Sequence, residues 1–273
     1  MHVAAQVAAP VESRTEVSVG VETRRDRLVY RFENPSTYEG DTLIPHAFEQ
    51  RYTNDNRWAF VEVRYGGLVR WRTRVSITPG LDSTADDYDT FWLKSGDVAV
   101  EGTTGPARVQ SFAISQDAAL PLGGESRVHV GYRLRRDTAD FGVGHKTIVR
   151  NGTIIRAFDT YDPEYTASTL QQLVVGLESS HRVRADWQVH LRGEVAPITL
   201  GRLLIQLPVK YPGTDLIFSA RAVGGEAAVS LARTSGAWSV ELQSSASRTW
   251  SPDQAGTVSL SSVGVGLAVG RRW

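Results

Sequence analysis

The chain contains no cysteine, which excludes a disulfide, a thiolate metal site and a cysteine nucleophile. No continuous apolar run is long enough to cross a membrane as a helix. Net charge is also missing: 30 Lys and Arg balance 30 Asp and Glu, so no global field favours nucleic acid. Lysine is scarce, occurring only at Lys94, Lys146 and Lys210, and the remaining cations are arginine. Arginine's planar fork pairs bidentately with carboxylates and is less strongly hydrated than an ammonium. Nucleotide-binding and hydrolase motifs of the Walker, Gly-x-Gly-x-x-Gly and Gly-x-Ser-x-Gly types are absent, and neither a cofactor nor a metal is expected. The opening MHVAAQVAAPVES lacks the basic and apolar regions of a signal peptide, and residues 1–13 read as a tail before one domain, 14–273.

What the chain has instead is alternation. Val183, Ala185, Trp187, Val189 and Leu191 oppose Arg184, Asp186, Gln188, His190, Arg192 and Glu194. Val69, Trp71, Thr73, Val75 and Ile77 oppose Arg70, Arg72 and Arg74, and Val128, Val130, Tyr132 and Leu134 oppose Arg127, His129, Arg133 and Arg135. A period of two with one apolar face is the pattern of an antiparallel sheet, and helical periodicity is nearly absent. Short turn signals at 66–67, 122–125, 180–182, 212–213 and 235–236 alternate with long connections at 34–55, 80–106, 139–168 and 249–256. The strands so delimited are 14–23, 56–66, 68–79, 107–120, 126–138, 170–180, 183–195, 199–211, 214–224, 226–234, 237–248 and 256–273, which is twelve. Ten is the alternative count, if 199–224 is partly loop. The first strand carries a conflict. Val17, Val19 and Val21 share one parity while Leu28, Tyr30 and Phe32 take the other, which requires a bulge or an extension beyond the membrane. Tyr65, Trp71, Trp187, Tyr211, Trp238 and Trp273 fall beside short turns on the apolar face, as in an interfacial girdle.

The last strand, with Val263, Val265, Leu267 and Val269 closed by Trp273, resembles the C-terminal β-signal of bacterial outer-membrane β-barrels. Trp273 stands where that family usually has Phe. The resemblance implies an all-β, transmembrane, antiparallel up-and-down barrel with long extracellular loops and short periplasmic turns. It also implies location in the bacterial outer membrane, with outer-membrane lipids, lipopolysaccharide and the barrel assembly machinery as partners. Val265, Leu267, Val269 and Trp273 would form the assembly signal.

The expected lumen face is rich in charge. Arg70, Arg72, Arg74, Arg127, Arg133, Arg135, Arg184, His190 and Arg192 read as the lining of a channel for small anionic solutes. A plugged structural or surface-binding barrel is an alternative, since side chains can fill a narrow barrel. A barrel-borne hydrolase is another, using His46, Glu49, Asp86, Asp87 and Asp89 in the expected loops, with His46 placed to face the aspartates. Asp87-Tyr88-Asp89 resembles the acidic motif of omptin proteases, but 195–214 lacks the histidine of the partner motif. Gly144-His145-Lys146-Thr147 is similar to the histidine segment of outer-membrane phospholipases, with threonine where serine is expected.

Overall fold

The computed structural model describes residues 14–39, 42–209, 212–251 and 256–273. The expected tail 1–13 and the girdle position Tyr211 lie outside these residues. The strands are β1 (Arg14–Glu39), β2 (Thr42–Gly66), β3 (Arg70–Ile77), β4 (Leu81–Trp92), β5 (Val98–Gly123), β6 (Ser126–Arg150), β7 (Thr153–Arg184), β8 (Trp187–Gln206), β9 (Asp215–Ser235), β10 (Trp238–Trp250) and β11 (Gly256–Arg272). Each pairs antiparallel with its neighbours, and β1 pairs with both β2 and β11, so the sheet closes on itself. Because β3 and β4 succeed one another between β2 and β5, the eleven strands occupy ten lanes. The backbone N–H of Trp273 donates to the Thr15 carbonyl at 3.0 Å, completing the seam. Closure of this kind leaves no strand edge unpaired, as hydrocarbon requires.

The ten-lane ring is the smaller of the two counts read from the sequence. Two expected strand pairs are single strands. The segments 183–195 and 199–211 merge into β8, where a bulge between Ala196 and Thr199 absorbs Pro197. The segments 214–224 and 226–234 merge into β9, which runs through Gly224 and Gly225 without turning. The expected turn at 180–182 falls instead at 185–186, and Pro212-Gly213 lies at the opposite end of the barrel from the short turns. Following Cα partners round the ring from Asp26 through Ser262, Glu194, His129 and Arg70 returns to β1 at Arg14, twelve residues away. That stagger tilts the strands by roughly 40° and keeps the interior narrow.

The three longer expected loops are strand. β1–β2, β4–β5 and β6–β7 continue as hairpins far beyond the apolar belt. The parity conflict in β1 resolves as extension, since the β1–β2 register is unbroken from Arg14 to Asn34. In the lower half Val19 and Val21 face out and Glu22 faces in. Above Arg25 and Arg27, Leu28, Tyr30 and Phe32 face in on the same parity as Glu22. In β8 the apolar face also turns inward, but there the bulge between Ala196 and Thr199 does it: Leu191 and Val195 face out while Leu203 and Ile205, on the same sequence parity, are buried within. Below the inversion the surroundings are lipid and the interior is polar, whereas above it the surroundings are water and the interior is apolar.

Tyr65, Trp71, Trp238 and Trp273 cluster outward at the short-turn end, with Tyr65 and Trp71 stacked 6.4 Å apart. Val263, Val265, Leu267 and Val269 face lipid, while Gly264, Gly266 and Gly270 face in. At Gly264 a Cβ would lie 2.5 Å from the Glu22 carboxylate, so the glycine leaves space for that charge. Replacing Leu267 with Arg should cost about 2–4 kcal/mol of stability in lipid vesicles, measured by urea unfolding followed through tryptophan fluorescence.

Candidate functional site

The lower lumen is built by alternation. Arg-x-Arg-x-Arg on β3 sends Arg72 and Arg74 inward, and matching positions on β1, β2, β5, β6 and β8 bring carboxylates to meet them. Asp117, buried on β5, accepts from Arg72 at 2.7 Å and from Arg192 of β8 at 3.0 Å, and also pairs with Arg133 of β6. Glu194 of β8 is 2.6 Å from Arg192, 2.9 Å from Arg133 and 3.2 Å from the His129 Nε2. Glu22 binds Arg74 at 2.7 Å, and Asp26 binds Arg135 of β6 at 2.8 Å. Arg64 joins Glu62 to Glu241 on β10. Arg72–Asp117 and Arg133–Asp117 join adjacent strands, whereas Arg192–Asp117, Arg64–Glu241 and Arg135–Asp26 span three or more lanes of the ring and so cross the lumen rather than line it. Trp58 lies among them, with the Arg24 and Arg135 guanidinium carbons 5.6 and 5.4 Å from its ring centroid.

Arg72, Arg74, Arg133, Arg135 and Arg192 of the expected pore lining therefore sit inside the barrel as partners of carboxylates. Arg70, Arg127 and His190 line a periplasmic vestibule of 430 Å³, where His190 Nδ1 is 2.8 Å from Ser180 Oγ. Arg184 is exposed beside the 185–186 turn.

Above the charged layer the interior is apolar. Tyr30, Leu203 and Val258 are 0% exposed, and Leu28, Phe32, Leu170 and Ile205 pack with them. Phe218 of β9 stacks on Phe32 at 4.5 Å and on Phe48 at 5.9 Å. The Tyr52 hydroxyl on β2 meets Thr166 on β7 at 2.7 Å, a further direct tie across the lumen at a higher level. Burial pushes the Tyr52 phenol well above its ordinary pKa.

The outer mouth lies on this apolar floor. His46 Nε2 is 2.8 Å from Asp89 Oδ1, and the imidazole stacks on Phe91 at 4.7 Å. The two residues meet on adjacent strands, because β2 and β4 pair with Phe48 opposite Asp89. Asp87 is opposite Gln50, whose amide donates to Glu164 on β7. Glu101 and Lys146 pair at 2.6 Å on the same side. Of the five loop candidates, His46, Asp87 and Asp89 come together on the inward face. Glu49 and Asp86 take the outward parity of β2 and β4, and Glu49 pairs with Arg51. His145 is likewise exposed, paired with Asp159 at 2.9 Å, so the phospholipase-like segment does not enter the mouth. Gln50, Glu101, Lys146 and Glu164 were not singled out from the sequence, because their segments read as loop and parity was not assigned. Among the described residues no three His, Asp or Glu side chains converge as a metal site.

Asp117 neutralises three arginines. Asp117→Ala should therefore destabilise the barrel by about 3–5 kcal/mol, measured by urea unfolding in vesicles, because uncompensated buried charge remains.

No family model matches the chain, and no curated protein matches it. Among solved structures, the outer membrane protease OmpT from Escherichia coli superposes with a TM-score of 0.67 at 9% identity, covering 95% of this chain and 97% of that one. Ail, the attachment invasion locus protein of Yersinia pestis, covers 96% of this chain and 99% of its own at 10% identity, with a TM-score of 0.35. The toluene transporter TodX of Pseudomonas putida covers 96% of this chain and 90% of its own at 10% identity, with a TM-score of 0.25. At these identities the likeness to OmpT is one of fold. Together with the outward apolar belt and its aromatic girdle, it places the chain in the bacterial outer membrane as a ten-lane, antiparallel, transmembrane β-barrel.

Proposed function

We propose that the protein is a surface-facing barrel with a plugged lumen, whose working face is its outer mouth. The observation that carries this reading is the set of ties crossing the interior at successive levels: Arg192–Asp117, Arg135–Asp26 and Tyr52–Thr166. A pore selective for small anions needs arginines whose field is free to act on the solute. Here the central arginines are held by carboxylates, and an apolar core lies above them. The geometry therefore favours the plug over the channel. The mouth offers Asp87, Asp89, Glu101 and Glu164 against His46 and Lys146, a surface suited to cationic ligands. The outward edge of β11, with Val265, Leu267, Val269 and Trp273, is the segment the barrel assembly machinery would read. Purified protein in planar bilayers should be electrically silent. Unitary current steps whose anion preference weakens on Arg72→Ala or Arg192→Ala would overturn the plug.

A hydrolytic reading is favoured by one feature of the mouth. With Nε2 held by Asp89 and its ring fixed on Phe91, His46 retains Nδ1 as a site to take a proton from water attacking a bound ester or amide. If a peptide or ester substrate is cleaved by the protein in detergent micelles, His46→Ala should lower kcat at least about 100-fold. Unchanged turnover in that variant contradicts a catalytic His46.

A further inference from the structure

Above the membrane the wall of the barrel is not equally tall. β8 stops at Gln206 and β10 at Trp250, whereas β7 begins at Thr153, twelve residues above its first partner on β8, the Tyr165–Gln206 pair. Residues Thr153 to Glu164 pair with β6 alone, and among the described residues no strand covers their other edge. At about 3.3 Å per residue this is roughly 40 Å of strand with a row of N–H and C=O groups open to a neighbour. Long edges are ordinarily blunted by lysine, proline or a bulge. Here 153–164 contains no lysine, Pro163 stands at the base, and the bulge opposite Ile148 and Val149 sits at the tip. Between them Arg156 to Tyr161 pair with β6 without a break. This run contains the strand-forming residues Phe158, Thr160 and Tyr161. Phe158 and Thr160 share the inward parity of the buried Glu164, and the Arg156 guanidinium carbon is 4.5 Å from the Phe158 ring centroid. On the outward face Tyr161 is 71% exposed, directly opposite Val143 on β6.

We propose that this edge of β7 is a docking site for an extended segment of another polypeptide, added as a further strand in the lane above Gln206. In strand addition the main-chain hydrogen bonds give affinity and alternate side chains give selectivity. The partner's outward positions meet Tyr161, which suits aromatic or β-branched residues, and its inward positions meet Phe158 and Thr160. A second copy in the same membrane does not fit. Two barrels pointing the same way are related by an axis along the membrane normal, so both β7 strands descend together. Their tilt of roughly 40° then crosses the strands instead of pairing them. The inference rests on this end of the barrel facing outward, and it holds whether the lumen conducts or is plugged and whether or not His46 is catalytic.

The probe is a fluorescent peptide of alternating Thr and Val, titrated against the detergent-solubilised barrel and read by anisotropy. The wild type should bind it. A copy N-methylated at two adjacent central residues is blocked on both of its edges and should bind at least about tenfold more weakly. The double variant Asp159→Pro/Thr160→Pro removes an N–H from each edge of β7 and should lose at least about tenfold in affinity for the unmodified peptide. Heat-modifiable gel mobility confirms that the barrel below is folded. Because the chain has no cysteine, disulfide trapping reads the position of the bound strand. With a cysteine at the centre of the peptide, Asp159→Cys should cross-link at least about tenfold faster than His145→Cys, which lies opposite on β6, one strand further from the edge and beyond disulfide reach. Absence of binding to the wild type overturns the site, as does equal binding of the N-methylated peptide or equal binding by the proline variant. Equal trapping at positions 159 and 145 overturns its placement on the β7 edge.

Discussion

In hydrocarbon a peptide group has no water to turn to, so a strand can enter only if both its edges are paired. That constraint closes the ring, and closing it with ten lanes and a stagger of twelve residues makes the interior narrow. The remainder of the structure follows from filling that space. At membrane depth the inward positions are charged, and a charge in a narrow, partly dry interior must be paired. Arginine, able to reach two carboxylates at once, supplies the pairing: Arg133 and Arg192 each contact both Asp117 and Glu194. The near absence of lysine fits that demand for forked, bidentate donors.

Where the strands leave the lipid, the same geometry meets water outside, and the rule for which face is apolar reverses. β1 crosses this boundary without a bulge, so residues of one parity are Glu22 and Asp26 below and Leu28, Tyr30 and Phe32 above. The upper half is thus a water-exposed barrel with an ordinary apolar core, standing on a membrane barrel with a polar core. Its rigid floor is what allows the mouth to hold His46 on Asp89 and Phe91, since side chains on paired strands are positioned more closely than side chains on loops. The arginines that mark the crossing on the outside, among them Arg25, Arg27 and Arg248, stand at the depth of lipid headgroups.

The barrel class was legible because the membrane-spanning halves of β3, β6, β8 and β11 alternate strictly and face lipid as expected. The periplasmic turns at Gly66-Gly67, Gly123-Gly124 and Ser235-Gly236 were legible through glycine, and Gly123, Gly124 and Gly236 adopt the positive φ that glycine tolerates. The upper hairpins were not legible. Once the solvent changes, the apolar parity switches, and a stretch such as 139–168 shows neither a continued period nor a helix and reads as loop. The ring takes the smaller of the two counts for a related reason: Pro197 and Gly224-Gly225 carry turn chemistry but are accommodated inside strands. At the mouth, His46 and Asp89 were picked out by residue type, whereas Glu101, Lys146 and Glu164 needed the register to be seen. Arg72, Arg74, Arg133, Arg135 and Arg192 point inward as alternation implies, while Arg184 is exposed. Composition alone could not show that each central arginine has a carboxylate partner.

The central claim is that continuous strands reverse their apolar face where they leave the membrane. A nitroxide scan along β1 from residue 17 to residue 32 in lipid vesicles tests it, with oxygen reporting lipid and a water-soluble nickel chelate reporting solvent. Labels at positions 19 and 21 should be oxygen-accessible, those at 25 and 27 nickel-accessible, and those at 28 and 30 shielded from both. Nickel access at positions 28 and 30, or oxygen access continuing on one parity to residue 31, would contradict the account.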